Sequence, residues 1–235
     1  MLEILRLIRR GTLFLLVASV ALVLLFHIWV FGWIVWWKYM PVQSTRFMRT
    51  ELSQLQQKDS TAQLKHLWVP YSKISVHLKK AVIAAEDANF PDHEGVDWDA
   101  IETAHAKNKK RGKLVSGGST ITMQLAKNLF LSSQRSYIRK AEELIITYML
   151  EALLDKQRIL EIYLNSVEWG IGVFGAQASA QHYFGNNAAQ LSPAQAARLA
   201  AMLPRPKFYD KNRGSAFLAR RSAAIARFMG DVDAP

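Results

Sequence analysis

From Gly11 to Trp37 the chain carries no Asp, Glu, Lys or Arg, and only Thr12, Ser19 and His27 interrupt its apolar character. A helix of that length exceeds the ~20 residues needed to cross a bilayer. Arg6, Arg9 and Arg10 precede it, and Trp33, Trp36, Trp37 and Tyr39 crowd its far end, as an interfacial aromatic belt does. A cleaved signal sequence would be shorter and would end in small residues. Lys38, Arg46 and Arg49 lie just beyond the run and reduce the charge asymmetry that places the N-terminus inside. Pro41 to Val69 is rich in Gln, Ser and Lys, shows no strong strand pattern, and reads as a connector.

From Tyr71 onward the apolar positions recur at helical spacing, and Ala, Leu, Glu, Lys and Gln dominate. The pattern predicts helices over Val76–Ala88, Trp98–Lys109, Thr120–Leu131, Arg135–Leu154, Lys156–Asn165, Phe174–Phe184, Pro193–Met202 and Ala216–Met229. Ser192, Pro193 and Gln195 form a capping box with proline at the first helical position. Asp155 is placed to cap the next helix, and Gly185 to stop another. The division is then residues 1–10 as a short cytoplasmic segment, 11–37 as a transmembrane helix, 38–70 as a juxtamembrane connector and 71–235 as one mainly helical domain.

The chain has no cysteine, which excludes disulfides, thiolate metal sites and cysteine nucleophiles. Its net charge of +11 favours an anionic partner: nucleic acid, acidic lipid or a phosphorylated substrate. The basic run Lys107 to Lys113 reads as a solvated loop.

Five stretches carry candidate chemistry. In the first, an apolar helix runs into Glu86 and Asp87, and Pro91 ends it near Asn89–Phe90. Two carboxylates at a helix C-terminus are electrostatically misplaced. The dipole and the like-charged neighbour both raise a carboxylate pKa, which suits a general base. A solvated acidic turn explains the same residues equally well. In the second, Gly117 to Asn128 reads Gly-Gly-Ser-Thr-Ile-Thr-Met-Gln-Leu-Ala-Lys-Asn. Thr120, Gln124, Lys127 and Asn128 share one helical face beside the apolar Ile121, Leu125 and Leu129. That polar stripe suits a groove, and equally the wet side of an amphipathic helix.

In the third, Arg139 and Lys140 stand four and three residues before Glu143, the spacing of helical ion pairs, which at a surface are worth about 0–1 kcal/mol. In the fourth, Tyr163 and Asn165 precede a turn containing Gly170, Gly172 and Gly175, with Asn165 placed to hold a loop. The fifth, Ala196 to Pro206, is an Ala-rich core helix closed by prolines.

In this order, the five stretches resemble the motifs of the family 51 glycosyltransferases, the peptidoglycan polymerases, from about Leu78 to Pro206. The matching residues include Glu86, Asp87, Phe90, His93 and Gly95, then Gly117 to Asn128, then Arg139, Lys140 and Glu143, then Tyr163-Leu-Asn. The chain stops at Pro235 and contains neither Ser-x-x-Lys nor Lys-Thr-Gly, so the resemblance is to a monofunctional member without transpeptidase activity. Gln177, Ser179 and Lys211 depart from the family's commoner residues.

The resemblance implies a lysozyme-like, mainly α, two-lobed domain behind one transmembrane helix. The enzyme would sit in the inner membrane with its catalytic domain on the periplasmic side. It would polymerise lipid II by inverting transfer and release undecaprenyl pyrophosphate. Glu86 is then the catalytic base and Glu143 the second catalytic acidic residue. Ser119, Thr120, Gln124, Lys127, Asn128, Arg139 and Lys140 bind substrate, with Lys127, Arg139 and Lys140 neutralising the leaving pyrophosphate. Asp87 and His93 shape the first motif, and the Lys107 to Lys113 run would be a mobile element near lipid headgroups. No cofactor is required, although Glu143 leaves room for a divalent cation, Mg2+ or Mn2+. The implied partners are lipid II, the growing lipid-linked glycan, the membrane and proteins of cell-wall synthesis or division, and no nucleic acid. Two other readings compete. A muramidase would use Glu86 as a general acid, and a basic membrane module would need no fixed spacing among its cations.

Overall fold

A computed structural model describes residues 2–112, 118–134 and 136–235. The apolar run lies in one helix, α1 (Leu2–Trp37), of which Ile8–Trp37 is long and apolar enough to cross a membrane. Most of it is exposed, as a lipid-facing helix is, but its last turns are not: Val30 and Ile34 are fully buried against the domain.

The connector is more structured than its composition suggests. It contains α2 (Arg46–Gln56), capped by the Thr45 hydroxyl, and strand β1 (Lys65–His66). The helix buries only a narrow stripe, with Met48 and Glu51 enclosed and Leu52 and Leu55 half-buried, so its polar majority hides the period. A two-residue strand is too short to show alternation.

Helix α3 (Val76–Glu86) ends two residues before the predicted boundary, where Asp87 turns out of helical geometry. Helix α4 (Trp98–Arg111) is longer than predicted and absorbs most of the basic run. Lys109, Lys110 and Arg111 form its last turn and Gly112 closes it at φ +61°. Cations at a helix C-terminus complement its dipole, and glycine takes the left-handed cap. The expected solvated loop is therefore helical through Arg111; Lys113, Ser116 and Gly117 lie outside the described residues.

Helices α5 (Ile121–Phe130), α6 (Tyr137–Leu153) and α7 (Lys156–Ser166) follow, the last capped by Asp155 as expected. The predicted helix start at Arg135 also lies outside the described residues. Strands β2 (Glu168–Gly170) and β3 (Val173–Phe174) come next, and β3 pairs parallel with β1 and antiparallel, through a bulge, with β2. Phe174 was expected to start a helix; it belongs to β3, and α8 (Ala176–Phe184) begins after Gly175. Then come α9 (Pro193–Met202), with the full capping box, α10 (Pro206–Lys211) and α11 (Ala216–Phe228).

The mainly helical, lysozyme-like domain has two packing groups. Helices α3, α9 and α11 form one, and α5, α6 and α7 the other, with α1 against α6 and α2 against α5. Arg158 of α7 fastens the anchor to this core. Its guanidinium donates to the Trp37 carbonyl from Nε and Nη2 (2.9 and 2.7 Å) and to the Met40 carbonyl (2.6 Å). Glu161 pairs with it at 2.6 Å and the Trp68 ring lies beneath it. A cation thus satisfies carbonyls at the end of α1 that no helical N–H reaches.

Candidate active site

Glu86 and Asp87 are adjacent in sequence but lead separate lives. Asp87 is buried, accepting from the backbone N–H of Ile121 through Oδ2 (2.8 Å) and from His93 Nε2 through Oδ1 (2.9 Å). The His93 Nδ1 in turn accepts from the Gly95 N–H at 3.1 Å. That bond leaves the proton on Nε2, so Asp87 and His93 form a fixed bracket between the first motif and the start of α5, as expected of residues that shape the motif.

Glu86 faces the junction of the two helix groups. Its Oε2 accepts from Gln124 Nε2 at 3.0 Å, and its Oε1 lies 3.5 Å from Arg221 Nη2. Its carboxyl is held above the ordinary glutamate range. The main cause is burial, opposed by Gln124, Arg221 and Lys127; the neighbouring Asp87 charge adds least among these. The expected rise is present, but desolvation rather than the paired charge produces it.

Gln124 is itself oriented by Tyr163, whose hydroxyl donates to Oε1 at 3.0 Å. Tyr163 is completely buried, and burial pushes its phenol well above its usual range, so it remains a donor. The amide can then present only its NH2 to Glu86.

The Gly118 backbone approaches α4 so closely that a Cβ there would lie 2.7 Å from the Ile101 Cα. The next two residues enter α5. Thr120 is buried as the N-cap, donating to the Gly95 carbonyl (2.6 Å) and accepting from the Met123 N–H. Asn128 is also buried, whereas Ser119, Gln124 and Lys127 remain partly accessible. The expected polar stripe is thus divided: Gln124 and Lys127 face the site, and Thr120 and Asn128 are buried, Thr120 as the cap of α5.

Lys127 lies over the Phe47 ring of α2, 5.8 Å from its centroid. Burial pulls its ammonium below the usual lysine range, and the Glu143 carboxylate opposes that pull. Glu143 is itself only 3% exposed and pairs with both Arg139 and Lys140. These are not the surface pairs their spacing suggests. Two cations pair with one buried carboxylate and a third, Lys127, lies close enough to feel both its charge and that of Glu86, which leaves an excess of positive charge facing Glu86. Arg139 Nε is also buried without a hydrogen-bond partner among the described residues. Both Glu143 oxygens are taken by cations, and no group of three or more His, Asp or Glu that could hold a metal occurs among the described residues. The Glu143 environment therefore does not fit a divalent ion.

A cavity of about 420 Å³ opens beside this positive site rather than over Glu86. Phe47, Glu51, Gln134, Glu168 and Lys207 are among its lining residues. Asn165 is fully buried and holds the neighbouring backbone as expected, bonding both the N–H and the carbonyl of Val69 at 2.9 Å. Sequence reading missed Arg221, Tyr163's role toward Gln124, and Lys156. Lys156 joins Glu151 (2.9 Å) to the His93 carbonyl and lies over the Phe90 ring. The adjacent Arg220-Arg221 pair was the one local signal for the first of these.

Residues 51–230 match the family model described as Transglycosylase. Curated relatives match over nearly their whole length. A protein of Herminiimonas arsenicoxydans named biosynthetic peptidoglycan transglycosylase is 59% identical over 230 residues, 98% of this chain and 100% of its own. Proteins of the same name from a Janthinobacterium strain and from Dechloromonas aromatica are 59% and 54% identical, covering 98% and 94% of this chain and 100% and 96% of their own. The chain belongs to the transglycosylase family of glycosyltransferases.

Proposed function

We propose that this protein polymerises lipid II into peptidoglycan glycan strands by inverting transfer, with release of undecaprenyl pyrophosphate, at the periplasmic face of the inner membrane. The observation that carries the reading is the cation group Lys127, Arg139 and Lys140 set across from the half-buried Glu86. A sugar 4-hydroxyl is a poor nucleophile at neutral pH. Glu86 Oε1, the oxygen that Gln124 leaves free, takes its proton as the oxygen attacks C1 of the donor sugar. General base assistance of this kind contributes ~10²–10⁴-fold. As the C1–O bond breaks, negative charge grows on the pyrophosphate, and fixed cations in a partly dry site stabilise it. Glu143 keeps Arg139 and Lys140 in place for that task.

A muramidase would also use a carboxyl with a raised pKa. Cleavage of a neutral glycan, however, develops no charge that would use three convergent cations. Arg6, Arg9 and Arg10 before the span support a cytoplasmic N-terminus and a periplasmic domain.

The test is polymerisation of purified lipid II by the full-length protein beside Glu86→Gln, with strands resolved on a gel. The expected result is strands from the wild type and a loss of at least ~10² in the folded variant. Shortening of preformed glycan without synthesis would establish the hydrolase instead.

A further inference from the structure

Lys156 opens α7 and takes no part in the chemistry described above. Its ammonium closes a ring of hydrogen bonds behind Glu86. Asp87 Oδ1 accepts from His93 Nε2 at 2.9 Å, the His93 carbonyl accepts from Lys156 Nζ, and Nζ also donates to Glu151 Oε1 at 2.9 Å. The same Glu151 oxygen accepts from the Thr122 hydroxyl at 2.6 Å, and the neighbouring Ile121 N–H returns to Asp87 Oδ2 at 2.8 Å. The loop after α3 and helices α5, α6 and α7 are thereby joined.

The ring is enclosed. Asp87 and Thr122 are buried, and the buried Phe90 ring lies against the ammonium, 4.7 Å from its centroid. Gly95, at φ +86°, packs so tightly on α6 that a Cβ there would meet Glu151 Cγ and Thr147 Cγ2 at 2.8 Å. A closed network of buried polar groups behaves as a unit, because any gap leaves a desolvated partner unpaired. Lys156 supplies the ammonium between the carboxylates of Asp87 and Glu151. Glu86 is the last residue of α3 and Asp87 its cap. Whatever fixes Asp87 therefore fixes the turn from which the Glu86 side chain leaves, whereas Gln124 and Arg221 touch only its tip.

We propose that Lys156 is a positioning residue for Glu86, acting through the Glu151 and Thr122 bonds and the His93 carbonyl that together hold Asp87. The inference rests on the function proposed above, in which Glu86 is the base. The cations that face Glu86 itself are Arg221 and Lys127, and neither belongs to the ring, so Lys156 acts by geometry.

The test compares the full-length wild type with Lys156→Met, Lys156→Arg and Thr122→Val on purified lipid II, with rates taken per folded enzyme. Lys156→Met should lower kcat at least ~10-fold and leave KM unchanged. The acid limb of its kcat/KM profile should move to lower pH, because burial is what raises the Glu86 carboxyl and a loosened side chain regains water. Lys156→Arg, which keeps the charge and more than one donor, should restore most of kcat and return the limb. Thr122→Val removes only the hydroxyl bond; it should act in the same direction by less, and add little to Lys156→Met, in which the ring is already open. Loss of kcat with an unmoved limb marks Lys156 as support for the fold alone and overturns the proposal, as does unchanged kcat. If Lys156→Met does not fold, an unmoved limb in Thr122→Val overturns it. A wild type that does not polymerise lipid II refutes the parent function instead.

Discussion

The Gln124 amide lies 3.0 Å from Glu86 Oε2, and because Tyr163 occupies the other end of that amide, only its NH2 can face the carboxylate. The contact does two things. It holds the glutamate rotamer, and it stabilises the ionised form against a burial that favours the protonated one. A base at this site is thus tuned by two opposing effects, and each can be altered separately.

The pH dependence of kcat/KM should report that balance. As the proposed base, Glu86 must be ionised to accept a proton, so activity should fall as pH drops through its raised pKa. The acid limb then lies above the ordinary carboxylate range. Gln124→Leu and Arg221→Met each remove a group that lowers this pKa, so both should move the limb to higher pH. A pH–rate profile of the two variants checks the direction; a shift to lower pH would contradict the assignment of Glu86.

Asp87→Ala should act on stability before chemistry. It strips the buried Ile121 N–H and the His93 ring of their shared acceptor, at a cost of about 2–4 kcal/mol. Denaturant unfolding should show the loss, and the Glu86→Gln protein should not.

Glu168 predicts an opposite effect. Burial, only partly offset by Lys207, raises its carboxyl from 4.5 to about 7. The folded state then holds a proton that the unfolded state has released, so this residue makes stability fall as pH rises from about 4.5 to 7. Glu168→Gln should stabilise the protein by roughly 2 kcal/mol above pH 7 and by little near pH 4.5. Thermal melts at the two pH values measure the difference.

Arg158→Met should leave α1 intact and free its end. Lys38 and Arg46 are already exposed, and loss of the bonds to the Trp37 and Met40 carbonyls would free the backbone around them to open into the extended form a protease needs. Trypsin should cut there at least ~10-fold faster, because local opening governs cleavage. Unchanged cleavage would mean that Val30 and Ile34 suffice to hold the helix.

Local chemistry was legible in the sequence. The capping box at Ser192, the Asp155 cap and the apolar face of α5 appear where spacing predicts them. Glu86, Lys127 and Glu143 were identified through the resemblance, and the fold brings them together. Arg221 was not legible, because it reaches Glu86 from 135 residues away and leaves no periodic trace. The Tyr163–Gln124 bond spans 39 residues for the same reason. The capping role of Thr120 was not legible, because its bond to the Gly95 carbonyl spans 25 residues. The pairs at Glu143 looked trivial because spacing reports adjacency and not burial.

The Arg158 grip on the end of α1 has a consequence for how the enzyme meets its substrate. A flexible tether would let the domain tumble above the lipid surface and sample every height and tilt. A helix fixed to the core permits spin about the bilayer normal and sideways drift, and little else. For the lipid-linked substrate proposed above, collision then becomes a planar search, in which most of the orientational entropy has been removed before the two molecules touch.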